Sequence, residues 1–132
     1  MTNIVTFSEA SLIAIHSMVL IARSGTTVNV QKIAEMTGSS RHHVAKVLQR
    51  LVKEGYLESN RGPSGGFRLT LAPEKVSLLN IYESIEGKVK ITGCPQNKPV
   101  CPLTRCIFSN VVSEMIRLFR DHFTSTTLAD MV

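Results

Sequence analysis

The 132-residue chain has no tryptophan, and aromatic residues make up only 5% of it, so its core must be filled by aliphatic side chains rather than large aromatic anchors. It also lacks a long apolar run. The longest, Leu12 to Ala22, spans eleven residues and contains His16 and Ser17, whereas a membrane helix needs about twenty. No transmembrane segment is therefore expected. The opening Met-Thr-Asn-Ile-Val carries no basic residue and leads to no small-residue cleavage site, so no secretory signal is expected and the location read from the sequence is cytoplasmic. Cysteine is scarce: Cys94, Cys101 and Cys106 are an odd number within thirteen residues, unsuited to a disulfide framework. Internal repeats, low-complexity stretches and long linkers are also missing. With 43% apolar residues, disorder is excluded as a global description, and the length allows one core, not two substantial ones.

What is present is a localised basic block. The net charge is +5, and the stretch from Arg41 to Arg68 alone holds six basic residues against two acidic ones. Residues 74–132 are nearly balanced, with seven basic and six acidic groups. Most charge runs are solvated faces, but a block in an otherwise near-neutral chain points to a polyanionic partner.

Periodicity and punctuation give a succession of elements. From Ser8 to Gly25, Leu12, Ile15 and Val19 fall at helical spacing while Ile13, Met18, Leu20 and Ile21 fill other faces, which predicts a helix buried on most sides. A short helix about Val30 to Met36 stops at Gly38, and Ser39 or Ser40 can cap a third. That third helix carries Val44, Val47, Leu48 and Leu51 as an apolar stripe and leaves Arg41, His42, His43, Lys46, Gln49, Arg50 and Lys53 largely outside. Two alternating segments, Tyr56 to Asn60 and Phe67 to Leu71, flank Arg61-Gly62-Pro63-Ser64-Gly65-Gly66 and predict a β-hairpin. Ser77 caps a helix ending at Gly87, residues 88–102 read as a loop, and a long helix is expected from about Leu103 to Phe123. On it, Phe108, Val112, Met115 and Phe119 repeat at four, three and four residues, the period of a helix-pairing seam.

This order predicts a mostly α fold with a small β-hairpin wing: a winged helix-turn-helix plus a long C-terminal dimerisation helix. Residues 1–73 form the DNA-binding part, and residues 74–132 hold a helix, the cysteine loop and the dimerisation helix. In such a fold the second helix of the pair enters the major groove of double-stranded DNA and the hairpin lies along the backbone or minor groove. Arg and Lys suit phosphates and guanine edges, Ser donates to phosphates or bases, and His can donate or accept at a base edge. Taken singly, His42 and His43 could be polar surface residues and the glycines mere turn formers. Together, the basic helix, the glycine-rich basic hairpin and the confined charge favour nucleic-acid binding.

The cysteine loop carries its own chemistry. Three thiols separated by six and four residues are soft ligands suited to iron-sulfur clusters or zinc, and Lys98 and Arg105 nearby favour the thiolate. The residues alone leave cluster, zinc and plain packing open. An enzyme is not expected, because no nucleophile elbow, phosphate-binding loop or paired-carboxylate pattern occurs. Ser64-Gly65-Gly66 lacks the helix that a phosphate loop requires.

The run Ser39-Ser40-Arg41-His42-His43-Val44-Ala45-Lys46-Val47-Leu48-Gln49-Arg50-Leu51, followed by Arg61-Gly62-Pro63-Ser64-Gly65-Gly66-Phe67-Arg68-Leu69, resembles the Rrf2 family of bacterial winged-helix regulators, which includes the IscR and NsrR types. The resemblance continues through Ile81-Tyr82-Glu83-Ser84-Ile85-Glu86-Gly87, the cysteine loop and the terminal helix. It implies a cytoplasmic homodimeric repressor that reads the halves of a pseudo-palindromic operator. The implied DNA contacts are Ser40, His42, His43, Lys46 and Arg50 on the helix, with Arg61 and Ser64 on the wing. It also implies a two-iron or four-iron cluster on Cys94, Cys101 and Cys106 that senses redox, iron-sulfur or nitric oxide status. Zinc, or a cofactor-free response to a metabolite or protein partner, is the alternative. The cysteine spacing here is less even than in the IscR and NsrR types, and Ser109 stands where the IscR type places a histidine ligand. The NsrR type takes an acidic ligand from the partner subunit's first helix, and Glu9 matches that position. An acidic residue in a first helical turn also meets the helix dipole without any metal. His122, near the end of the last helix, is a further ligand by chemistry alone.

Overall fold

The computed structural model describes residues 4–96 and 100–132. Side-chain caps set the helix starts. Ser8 opens α1 (Glu9–Ser24), its hydroxyl accepting from the Ser11 amide at 3.0 Å. Asn29 caps α2 (Val30–Thr37) through the Lys32 amide at 2.8 Å, and Ser40 caps α3 (Arg41–Lys53) through the His43 amide at 3.1 Å. Each cap meets an amide that would otherwise lack a partner in the first turn. Gly38, at φ 70°, turns the chain sharply between α2 and α3 in a left-handed conformation that side-chain-bearing residues resist. Ser77 and Asn80 bond reciprocally at the start of α4 (Leu78–Glu86), and α5 spans Val111–Ser125. Single 3-10 turns occur at Pro73–Lys75 and Leu128–Met131.

One hydrophobic core serves both halves of the sequence. Met18 and Ile21 of α1, Ile33 of α2 and the α3 stripe Val44, Val47, Leu48 and Leu51 pack with Val76, Ile81 and Leu128, each at 2% exposure or less. Residues beyond position 73 thus complete the core on which the helix-turn-helix rests. The Ser77 to Thr127 bridge and the Leu78 amide, which donates to the Thr126 carbonyl at 2.9 Å, draw the chain end back onto α4.

The wing consists of β1 (Leu57–Asn60) and β2 (Gly66–Leu69), antiparallel, with Leu57 opposite Leu69 and Asn60 opposite Gly66. Val28, between α1 and α2, adds a further rung. Its amide donates to the Phe67 carbonyl at 2.9 Å, and the Phe67 amide donates back at 2.8 Å.

Two expectations about α1 and α5 need correction. Helix α1 is not buried on most sides of this chain: Leu12 is 41% exposed and Ile15 and Val19 are only half-buried. They line an open groove of about 540 Å³ with Glu9, His16 and Met36. Helix α5 begins at Val111, not near Leu103, because Ser109 takes a left-handed φ of 50° that a continuous helix cannot accommodate. Phe108 therefore lies ahead of the helix, and the expected seam of Phe108, Val112, Met115 and Phe119 divides. Val112, Ile116, Phe119 and Phe123 turn inward, half-buried, whereas Val111, Met115 and Leu118 face out at 56%, 38% and 74% exposure.

The inward face joins an aromatic cluster. Phe119 lies 5.1 Å from Tyr82, 5.7 Å from Phe7 and 4.3 Å from Phe123 between ring centroids. Burial, and then the Glu86 carboxylate, push the Tyr82 phenol above its usual pKa, so it stays neutral within the cluster.

The Val28 rung depends on Gly66, where a Cβ would lie 2.4 Å from the Val28 carbonyl oxygen. Gly66→Ala should cost about 1–3 kcal/mol of folding stability by overpacking. Urea unfolding checks this, and an unchanged midpoint would contradict the close approach.

Candidate nucleic-acid interface and thiol loop

The four buried residues of α3 fix its rotation and turn the opposite side to solvent. Arg41, His42 and Lys46 are exposed there, and Ser40 is exposed at its start. The Ser40 hydroxyl accepts from its own helix, which leaves the O–H proton for an outside acceptor. His43 is half-buried, with Nδ1 3.4 Å from the Glu9 carboxylate at the start of α1. Arg61 and Ser64 are exposed at the wing tip, where the Gly65 amide closes the turn on the Gly62 carbonyl at 2.9 Å.

Two exposed members of the basic block make contacts within the protein. The Arg68 guanidinium pairs across the hairpin with Glu58. Arg50 donates to the carbonyls of Ile85 at 3.0 Å and Ser84 at 3.4 Å, at the end of α4 where helix carbonyls lack partners. This gives Arg50 a structural task that the carried-over DNA contact did not include. Among the described residues Arg41, Lys46 and Arg61 form no ion pair.

Beside the wing tip lies a polar cleft of about 720 Å³, lined by Thr26, Thr27 and Asn29 on one wall and Asn60, Arg61 and Ser64 on the other. Sequence reasoning passed over Thr26, Thr27 and Asn29. Asn29 has the residue type of a helix cap, but nothing local marks the three as neighbours of the wing, because that depends on the rung between Val28 and Phe67.

The thiols occupy the segment between α4 and α5. Cys94, Cys101 and Cys106 are exposed and free, and among the described residues no group of three His, Cys, Asp or Glu side chains comes together as a metal site. Lys98 lies outside the described residues. Arg105, Ile107 and Ser109 share a shallow pocket with Cys106. Glu9 meets His43, not the cysteines of its own chain, and His122 is exposed in the last turn of α5.

A family model described as "Rrf2: Iron-dependent Transcriptional regulator" matches residues 7–132. The chain belongs to the Rrf2 family. It is 32% identical over 112 residues to the HTH-type transcriptional regulator NsrR of Bacillus subtilis (strain 168), covering 83% of this chain and 77% of that one. The NsrR of Bacillus licheniformis is 31% identical over 111 residues, covering 83% of this chain and 78% of that protein. Solved structures carry the same fold. CymR (YrzC), described as the global cysteine regulator of B. subtilis, superposes with a TM-score of 0.79 at 20% identity, covering 97% of this chain and 96% of that one. The T. potens IscR gives 0.75 at 23% identity, covering 96% and 85%. This Rrf2 chain is therefore a DNA-binding transcriptional regulator with a winged helix-turn-helix, not an enzyme. Among the described residues no helix is long and apolar enough to cross a membrane.

The different surroundings of two α3 cations can be separated by salt. Lys46→Ala should reduce the log-log salt dependence of binding to duplex DNA by about 0.9 for each phosphate that the lysine neutralises. Arg50→Ala should leave that slope unchanged and lower folding stability by about 0.5–1 kcal/mol, because the carbonyls at the end of α4 then go without their donor. Salt titrations and denaturant unfolding of both variants check this, and a reversed pattern would contradict the assignment.

Proposed function

We propose that this regulator acts as a homodimeric repressor that reads the two halves of a pseudo-palindromic operator and responds to redox, iron-sulfur or nitric oxide status through a cluster on Cys94, Cys101 and Cys106. Residues 1–73 are the reading part and residues 74–132 the pairing and sensing part, although the two share a core. The DNA contacts are Ser40, His42, His43 and Lys46 on α3 with Arg61 and Ser64 on the wing, while Arg50 positions α3 against α4. The observation that carries this reading is the single exposed face of α3, uncommitted at Arg41 and Lys46 and continued by Arg61 on a wing that Val28 braces. Pairing is supported by the outward stripe of Val111, Met115 and Leu118 and by the groove at Leu12, two apolar surfaces open to solvent in one chain.

The donor set fits a cluster. Three free, exposed thiols sit on a segment without helix or strand in its described residues, so no backbone ladder holds them apart. When bound, the group supplies an iron centre open to oxidation or nitrosylation. Glu9 would supply the fourth ligand from the partner subunit. Within its own chain the same carboxylate faces His43, a DNA contact on α3. The two oxygens of one carboxylate can serve a metal and a ring nitrogen together, so engagement of Glu9 across the dimer would link the partner's thiols to His43. This shared carboxylate would tie the sensing end of one protomer to the reading face of the other.

Anaerobically purified protein should contain iron and acid-labile sulfide, and Cys101→Ala should lose both. An iron-free wild type that binds its upstream DNA equally well would contradict the sensing reading, and stoichiometric zinc would replace the cluster. In sedimentation equilibrium the wild type should be a dimer, and Leu118→Glu, which places a charge on the outward stripe, should shift it to monomer. A dimer that survives the substitution would move the pairing surface elsewhere.

A further inference from the structure

We propose that the cleft between the wing and the turn ahead of α2 is a seat for a DNA backbone phosphate, held by the Thr26 and Thr27 hydroxyls and the Asn29 amide on one side and by Arg61 on the other. The proposal rests on the DNA-binding reading of the wing and extends it to residues outside both the wing and α3.

The local backbone fixes which side chains face the cleft. Val28 is paired with Phe67 as an extended residue, and its side chain is buried at 8% exposure. Side chains alternate along an extended segment, so Thr27 and Asn29 project away from the core that holds Val28. Thr26 is exposed and its backbone is pinned, its amide donating to the Ser24 hydroxyl at 3.2 Å and its carbonyl accepting from it at 3.1 Å. The Asn29 carbonyl oxygen is used by the Lys32 amide, which leaves the NH₂ group as the outward donor. The near wall therefore presents two hydroxyls and one amide donor, all neutral.

The far wall supplies charge. Arg61 and Ser64 line it, and no carboxylate lines the cleft. Glu58, the acidic residue of β1, is engaged by Arg68. At about 720 Å³ the space is much larger than one tetrahedral anion and suits a stretch of sugar-phosphate backbone entering from outside. The walls are held at a fixed spacing. A Cβ on Gly66 would lie 2.4 Å from the Val28 carbonyl oxygen and 2.9 Å from the Asn29 amide nitrogen, so a side chain there would force the turn and the wing apart. Gly66, the first residue of β2, thus also sets the width of the cleft. A phosphate held between wing and turn would fix the register of α3 in the neighbouring groove while carrying no sequence information itself.

Because phosphate contacts ignore sequence, a random-sequence DNA duplex at low salt is a sufficient probe. Thr→Val keeps the β-branched shape and removes only the hydroxyl. The Thr26→Val/Thr27→Val double variant should bind this duplex about tenfold more weakly, the effect of losing hydrogen bonds to a charged group. Its salt slope should match the wild type, since no charge is removed. Arg61→Ala should also bind more weakly, with the slope lower by about 0.9. Thermal melting confirms folding, and if Thr27→Val lowers the melting point, Thr26→Val alone at its exposed position carries the test. Unchanged affinity in folded Thr variants, with Arg61→Ala weakened, would overturn the seat and leave the wing on DNA. Unchanged affinity in all of them would remove the wing from DNA as well, and a wild type that does not bind the duplex at low salt would overturn the DNA reading itself. A hydroxyl-dependent stabilisation by inorganic phosphate, without any change in duplex binding, would assign the cleft to a free anion and overturn the proposal.

Discussion

The arrangement depends on the burial of one stripe of α3. Val44, Val47, Leu48 and Leu51 are exposed by 2% or less, and each fully buried aliphatic side chain of this size contributes about 1.5–3 kcal/mol relative to exposure. Rotating α3 to present another face would forfeit several such contributions, far more than any polar contact on its outer side could return. Polar residues on that helix therefore face solvent regardless of what they bind, and the reading face is a consequence of the core. The same core contains Val76, Ile81 and Leu128, so the second half of the chain braces the recognition helix directly.

Two contacts connect the halves at their polar margins, and a third links α1 to α3 within the first half. Arg50 of α3 holds the last carbonyls of α4, the Ser8 hydroxyl at the start of α1 donates to Glu86 at the end of α4, and Glu9 reaches His43. A displacement of α4 or of the beginning of α1 would consequently be felt at α3. In the proposed dimer this is the physical route from the thiol loop to DNA, and it needs no long-range deformation of the core.

Much of this is legible in the sequence because it is local. The caps Ser8, Asn29, Ser40 and Ser77 precede their helices as the residue types require, the apolar stripe of α3 has helical spacing, and the turn from Arg61 to Gly66 separates two alternating segments. What escapes is set by partners distant in the chain. Arg50 looks like another basic residue on a basic helix until Ser84 and Ile85 arrive beside it. Arg68 counts toward the basic block until the strands pair and Glu58 neutralises it. The α5 boundary escapes because the left-handed turn falls on Ser109, a serine and not a glycine, so no residue type announces it. The groove on α1 misleads for a related reason. Its apolar residues have the spacing of a covered face, yet one chain leaves them open.

In the proposed dimer, α3 and the wing form one reading head and two such heads act together on DNA. Hydroxyl-radical footprinting of the protein on the DNA upstream of its own gene tests this most directly. Two related protected patches are expected on one face of the duplex, their centres separated by about 10–10.5 base pairs or a multiple of that spacing. A single unpaired patch, or protection without helical phasing, would contradict it.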